Sequence, residues 1–89
     1  MKIKDGFILK EMAGSWVVVP VGENMVNFQM MMTLNESGAF LWNQLAEEKT
    51  EEELVSALLE EYDTDAETAA ADVKEFLRAL AEKGVVSEL

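Results

Sequence analysis

The sequence predicts an α+β domain in which three strands precede three helices. Two observations carry this reading. Apolar residues recur at a period of two up to Leu34 and at helical spacing from Asn35 onward, with one change of period along the chain. Turn residues (Ala13-Gly14, Gly22, Asn24) punctuate the first part, and cap residues (Asn35, Thr50, Asp65, Gly84) punctuate the second. The length of 89 residues suits a single domain spanning 1–89, with a 49% apolar share that excludes a disordered chain.

The elements follow in order. Gly6 to Met12 and Ser15 to Val21 are rich in β-branched and aromatic residues, and the Ala13-Gly14 link between them is short enough for a hairpin. Pro20 has no N–H and marks a strand end or an unpaired position. The third run alternates. Val26, Phe28, Met30, Met32 and Leu34 share one face, while Asn27, Gln29, Met31 and Thr33 share the other. Met30 and Met32 are thus expected on the buried side as flexible gap-fillers, with Met31 on the polar side.

Asn35 is placed to cap the first helix, whose apolar stripe is Phe40, Leu41, Trp42 and Leu45. Thr50 and Glu53 make a capping-box pattern for the second, with Leu54, Leu58 and Tyr62 as its stripe and Val55 and Leu59 beside it. Asp65 caps the third, which runs to about Lys83 and stops at Gly84. Its stripe is Ala66, Ala69, Ala70, Val73, Phe76, Leu77 and Leu80, and Val85-Val86 is expected to pack back on the domain. One helical stripe cannot cover both faces of a sheet. One sheet face is therefore expected to stay partly wet, and one strand edge to remain unpaired.

Composition narrows the function. There is no cysteine and no histidine, which removes the disulfide framework, the thiol nucleophile and the commonest general base and zinc ligand. The cytosol is the expected compartment, and neither a signal peptide nor a run of membrane length is seen. The net charge is −11, and it is uneven: Glu47 to Leu89 holds 14 acids against 4 bases. An acidic surface repels phosphate, so nucleic acid is not an expected partner.

Catalytic chemistry has little to use. Ser15, Ser37, Ser56 and Ser87 lack an obvious base, and Glu47-Glu48 and Glu60-Glu61 read as solvated surface rather than as acid–base pairs. Glu60 to Glu67 lacks the glycine-centred loop of a calcium site and reads as an Asp-capped turn. Ser37 sits near a helix start, as the modified serine of an acyl carrier does, but the Asp-Ser-Leu of carriers is absent. A winged-helix DNA reader shares the element order, yet its basic recognition helix is missing: Lys74, Arg78 and Lys83 face Glu67, Asp72, Glu75 and Glu82 in the third helix. Peptide capture on a free strand edge needs no positive charge. The same edge also permits a weak homodimer.

Four stretches, "GFILKEMAGSWVVVPVGENMVNF", "LNESGAFLWNQL", "TEEELVSALLEEYD" and "ADVKEFLRALAEKGVV", resemble the PqqD-like family along nearly the whole chain. The most specific piece is Leu34-Asn35-Glu36-Ser37-Gly38-Ala39, close to the family's Leu-Asn-x-Thr/Ser-Gly/Ala-x element. Val18-Val19-x-x-Gly22 and the Asp72-Val73-x-x-Phe76-Leu77-x-x-Leu80 pattern add to it. The resemblance implies a winged-helix-like fold, with a three-stranded antiparallel sheet followed by three helices. It implies a non-enzymatic recognition element, without cofactor or metal, from a pathway that modifies ribosomally made peptides. The namesake binds the precursor peptide of pyrroloquinoline quinone and presents it to a radical S-adenosylmethionine enzyme. The implied partners are therefore a precursor leader and a radical or other modifying enzyme.

The family's binding mode adds the leader as an antiparallel strand to the third strand, beside the last helix. Carried over, the site comprises Val26, Asn27, Phe28, Gln29, Met30, Met31, Met32 and Thr33, walled by Ala70, Val73, Lys74, Leu77, Arg78 and Ala81. Met30 is read as core packing, and Met31 either as packing or as part of an adaptable pocket. Lys74 and Arg78 read as solvated helix face, or as partners for leader carboxylates. The acidity of the chain suits a leader with basic residues. Asn35, Ser37 and Gly38 are expected to turn strand into helix.

Overall fold

The computed structural model of the chain describes residues 1–22 and 31–86. Three strands, β1 (Phe7–Met12), β2 (Ser15–Pro20) and β3 (Met32–Leu34), precede α1 (Glu36–Gln44), α2 (Glu51–Glu61) and α3 (Ala66–Glu82). The sheet is antiparallel in the order β1-β2-β3. The α+β order expected from the change of period is what the chain adopts.

The hairpin closes on Ala13 and Gly14, both with positive φ (53° and 84°), which joins Met12 to Ser15 in register. Two left-handed residues match the twist of the flanking strands. Pro20 is the last residue of β2. The next N–H, on Val21, donates to the Gly6 carbonyl at 2.8 Å, where Pro20 has none to offer.

One face of the sheet meets the helices. Phe7, Val18 and Leu34 are buried there, with Leu9, Trp16 and Met32 packed at the margin. The helices answer with Leu41, Trp42 and Leu45 from α1, Leu54 and Leu58 from α2, and Ala69, Val73, Phe76, Leu77 and Leu80 from α3. Each large apolar side chain so buried contributes about 1.5–3 kcal/mol. Phe40 meets Tyr62 edge-on, with ring centres 5.7 Å apart, linking α1 to the end of α2. The opposite sheet face stays wet: Ile8 is 39% and Met12 51% exposed.

Caps set the helix limits. The Asn35 Oδ1 accepts from the Gly38 N–H at 2.8 Å, and the Asp65 Oδ1 from the Thr68 N–H at 2.7 Å. Thr50 and Glu53 form the full reciprocal box, at 3.1 and 2.9 Å. At the end of α3, the Val85 N–H donates to the Leu80 carbonyl and the Gly84 N–H to the Ala81 carbonyl, both at 3.0 Å. With Gly84 at φ 71°, this is a Schellman motif, and Leu80 and Val85 are both fully buried beneath it. Val86 then bridges antiparallel to Ile3, fastening the segment after α3 to the body.

Two apolar positions depart from expectation. Leu59 is 38% exposed, outside the buried Leu54–Leu58 stripe of α2, whereas Val55 beside that stripe packs against the core. Ala66, in the first turn of α3, lies outside the packed stretch and is exposed.

Candidate functional site

The sheet order leaves β3 at an edge: it pairs with β2, and among the described residues nothing pairs with its other side. Register places Leu34 opposite Trp16, Thr33 opposite Val17 and Met32 opposite Val18. The period of two holds across these residues. Leu34 is buried, Met32 half-buried against the core, and Thr33 exposed.

A groove of about 250 Å³ lies between β3 and α3. Met32, Thr33 and Leu34 supply one wall, and Asp72, Glu75, Phe76 and Ala79 of α3 supply the other. Asn35, Ser37, Gly38 and Leu41 close it where the strand turns into α1. The turn depends on small parts. The Ser37 Oγ donates to the Asn35 Oδ1 at 3.1 Å, and that oxygen also takes the Gly38 N–H. A Cβ on Gly38 would stand 3.2 Å from the Leu34 Cβ and 3.1 Å from the Asn35 Oδ1. A bare glycine therefore lets α1 start close against the end of β3, in keeping with the structural part expected of Asn35, Ser37 and Gly38.

None of the helical residues carried over as the wall, Ala70, Val73, Lys74, Leu77, Arg78 and Ala81, lines this groove. Val73 and Leu77 are buried core residues. Lys74, Leu77, Arg78 and Ala81 line a second hollow of about 460 Å³ with Met1, Glu51 and Glu82. Ala70 is half-buried and lines neither. At about 100° per residue, the Asp72–Glu75–Phe76–Ala79 face and the Lys74–Arg78–Ala81 face lie on opposite flanks of the buried stripe. A buried stripe has two borders, and which one meets β3 depends on how the helix is docked. The missed residues do carry a signal, since 72, 75, 76 and 79 are spaced i, i+3, i+4 and i+7.

Met31 is 38% exposed and belongs neither to the core nor to the groove lining. Met32 is the methionine that meets the groove. Val26, Asn27, Phe28, Gln29 and Met30 lie outside the described residues.

The arrangement is suited to holding an extended chain. An edge strand offers backbone donors and acceptors, and a groove beside it receives alternate side chains. Among the described residues no polar or charged side chain is buried. The Ser37 hydroxyl is engaged by an amide oxygen rather than by a base. The described residues contain no cluster of three or more His, Cys, Asp or Glu placed to hold a metal, and no helix long and apolar enough to cross a membrane.

Residues 15–86 match the family model for coenzyme PQQ synthesis protein D (PqqD). The chain belongs to the PqqD family. Solved structures agree with the assignment. TbiB1 in complex with the TbiA(beta) leader peptide is 30% identical, with a TM-score of 0.76 over 100% of this chain and 98% of that one. A lasso peptide synthetase B1 complexed with the leader peptide is 17% identical, with a TM-score of 0.70 over 94% and 93% of the two chains, and shares the fold. No curated protein matches the sequence. In this PqqD-family chain the fold expected from the resemblance is present, and its edge strand and groove lie together.

Proposed function

We propose that this chain is a non-catalytic adaptor. It binds the leader segment of a ribosomally made precursor peptide as a strand added to the free edge of β3, and presents it to a separate enzyme. That enzyme is a radical S-adenosylmethionine maturase or another precursor-modifying enzyme. The observation that carries this is the edge of β3, unpaired among the described residues, running beside a groove with an apolar floor of Met32, Leu41 and Phe76. The TbiB1 complex supports it, because a relative of nearly equal length and 30% identity holds a leader peptide.

Strand addition supplies affinity through main-chain hydrogen bonds and selectivity through alternate side chains. The chain's own chemistry is then binding and orientation, with bond-making left to the partner. The test is calorimetric titration with synthetic leader peptides, the TbiA(beta) leader among them. Ala79→Trp fills the groove from a half-exposed position, Met32→Glu sets a charge on its apolar floor, and Thr33→Pro perturbs the strand edge. Each is expected to weaken binding at least about tenfold, a loss of some 1.4 kcal/mol, with the fold retained by circular dichroism. Unchanged affinity in all three folded variants would exclude strand addition at β3.

A further inference from the structure

The groove has a charge sign of its own. Among the described residues its ionisable lining groups are Asp72 and Glu75, both exposed and one helical turn apart. Neither has an ion-pair partner among the described residues. The bases of α3 stand elsewhere, with Lys74 and Arg78 at the hollow on the opposite flank. Among the described residues a guest strand lying along β3 therefore meets apolar surface, the small polar groups of Thr33, Asn35 and Ser37, and two carboxylates, with no cation.

Resting on the strand-addition reading, we propose that this groove selects a guest segment carrying Lys or Arg two positions from an apolar residue, both directed at α3. Side chains on one face of a strand recur about every 7 Å. Asp72 and Phe76 are roughly 5–6 Å apart along the helix surface, as i and i+4 residues are. The two repeats match closely enough for one inward side chain to reach the carboxylates while its neighbour on the same face rests on Phe76 and Met32. The long stem of Lys or Arg suits such a rim, since it covers apolar surface while its charged head stays in water. The acidic field of the chain, net −11, works in the same direction by raising the encounter rate of a cationic segment.

The probe is a displayed library of short random peptides, selected in parallel on the intact chain and on the Asp72→Lys/Glu75→Lys variant. Both positions are exposed, so the variant is expected to fold, and the near-isosteric Asp72→Asn/Glu75→Gln variant provides a milder change. The intact chain is expected to enrich Lys or Arg spaced by two from an apolar residue. A synthetic selected peptide with that base changed to Glu is expected to bind about three- to tenfold more weakly at low salt. The difference shrinks at about 0.5 M salt, where screening shortens to a few ångströms. The Asn/Gln variant removes the preference and the Lys/Lys variant inverts it.

Equal binding of Lys, Gln and Glu peptides to the intact chain would overturn the proposal, as would a basic preference that persists in the Lys/Lys variant. Ala79→Trp separates this from the broader reading. If it abolishes binding while the peptides remain indistinguishable, only the charge preference falls. If it leaves binding intact, strand addition beside α3 falls as well.

Discussion

Gly38 shows how one residue shapes the site. It sits in the first turn of α1, its N–H donating to Asn35, where even a Cβ would crowd Leu34 and the cap at 3.1–3.2 Å. Gly38→Val is expected to lower stability by about 1–3 kcal/mol in urea unfolding, because a crowded junction must move apart. Gly38→Ala is expected to lose less, since alanine regains up to about 1 kcal/mol of helix propensity. A stability loss for Val no larger than for Ala would show that the junction gives way easily. The groove closes at this same point, so the Val variant is also expected to bind peptide more weakly. Asp72 and Glu75 act on the same scale through charge, while Phe76 beside them joins groove to core: it lines the one and is 93% withdrawn into the other.

At the scale of elements, the second and third helices both begin on carboxylate-dependent caps. The Asp65 carboxyl is held below its ordinary value of 3.8 by hydrogen bonding to Thr68. Glu53 is held below 4.5 by its hydrogen bonds with Thr50. A carboxyl whose folded value is depressed stabilises the fold fully above its ordinary value, and loses that contribution as pH falls through the folded value. The melting temperature is therefore expected to drop on acidification below the ordinary carboxylate range. Asp65→Asn with Glu53→Gln keeps the oxygen acceptors but removes both titrations, so its melting curve should be flatter across that window. Identical pH profiles for the two proteins would mean that the caps add no measurable acid sensitivity. The Schellman turn at Gly84 has no titrating part and should be indifferent to pH.

At the scale of the whole molecule, the open edge of β3 and the net charge of −11 oppose each other. A free edge invites pairing with a second copy, whereas like charge keeps copies apart. Sedimentation at low salt is expected to show a monomer, with weak dimerisation appearing as salt screens the repulsion. A groove-binding peptide is expected to abolish that dimer by occupying the same edge. A dimer indifferent to both salt and peptide would place the contact elsewhere, for instance on the wet sheet face with Ile8 and Met12.

Much of this architecture was written locally. The period change at Leu34, the Ala13-Gly14 hairpin, the caps at Asn35, Thr50 and Asp65 and the stop at Gly84 each depend on residues within one turn of one another. Such features are legible in sequence because the atoms that satisfy the backbone are near neighbours in the chain. The sheet edge was legible for a similar reason, since a single run of helices leaves part of a three-stranded sheet uncovered. The helical wall of the groove was not. Asp72, Glu75 and Ala79 lie on one border of the α3 stripe and Lys74, Arg78 and Ala81 on the other, and periodicity treats the two borders alike. The docking of α3 against α2 and the sheet, a matter of contacts distant in sequence, brings the acidic border to β3 and carries the basic one away. That rotation sets the sign of the charge beside β3, which no count of acids and bases along the chain would reveal.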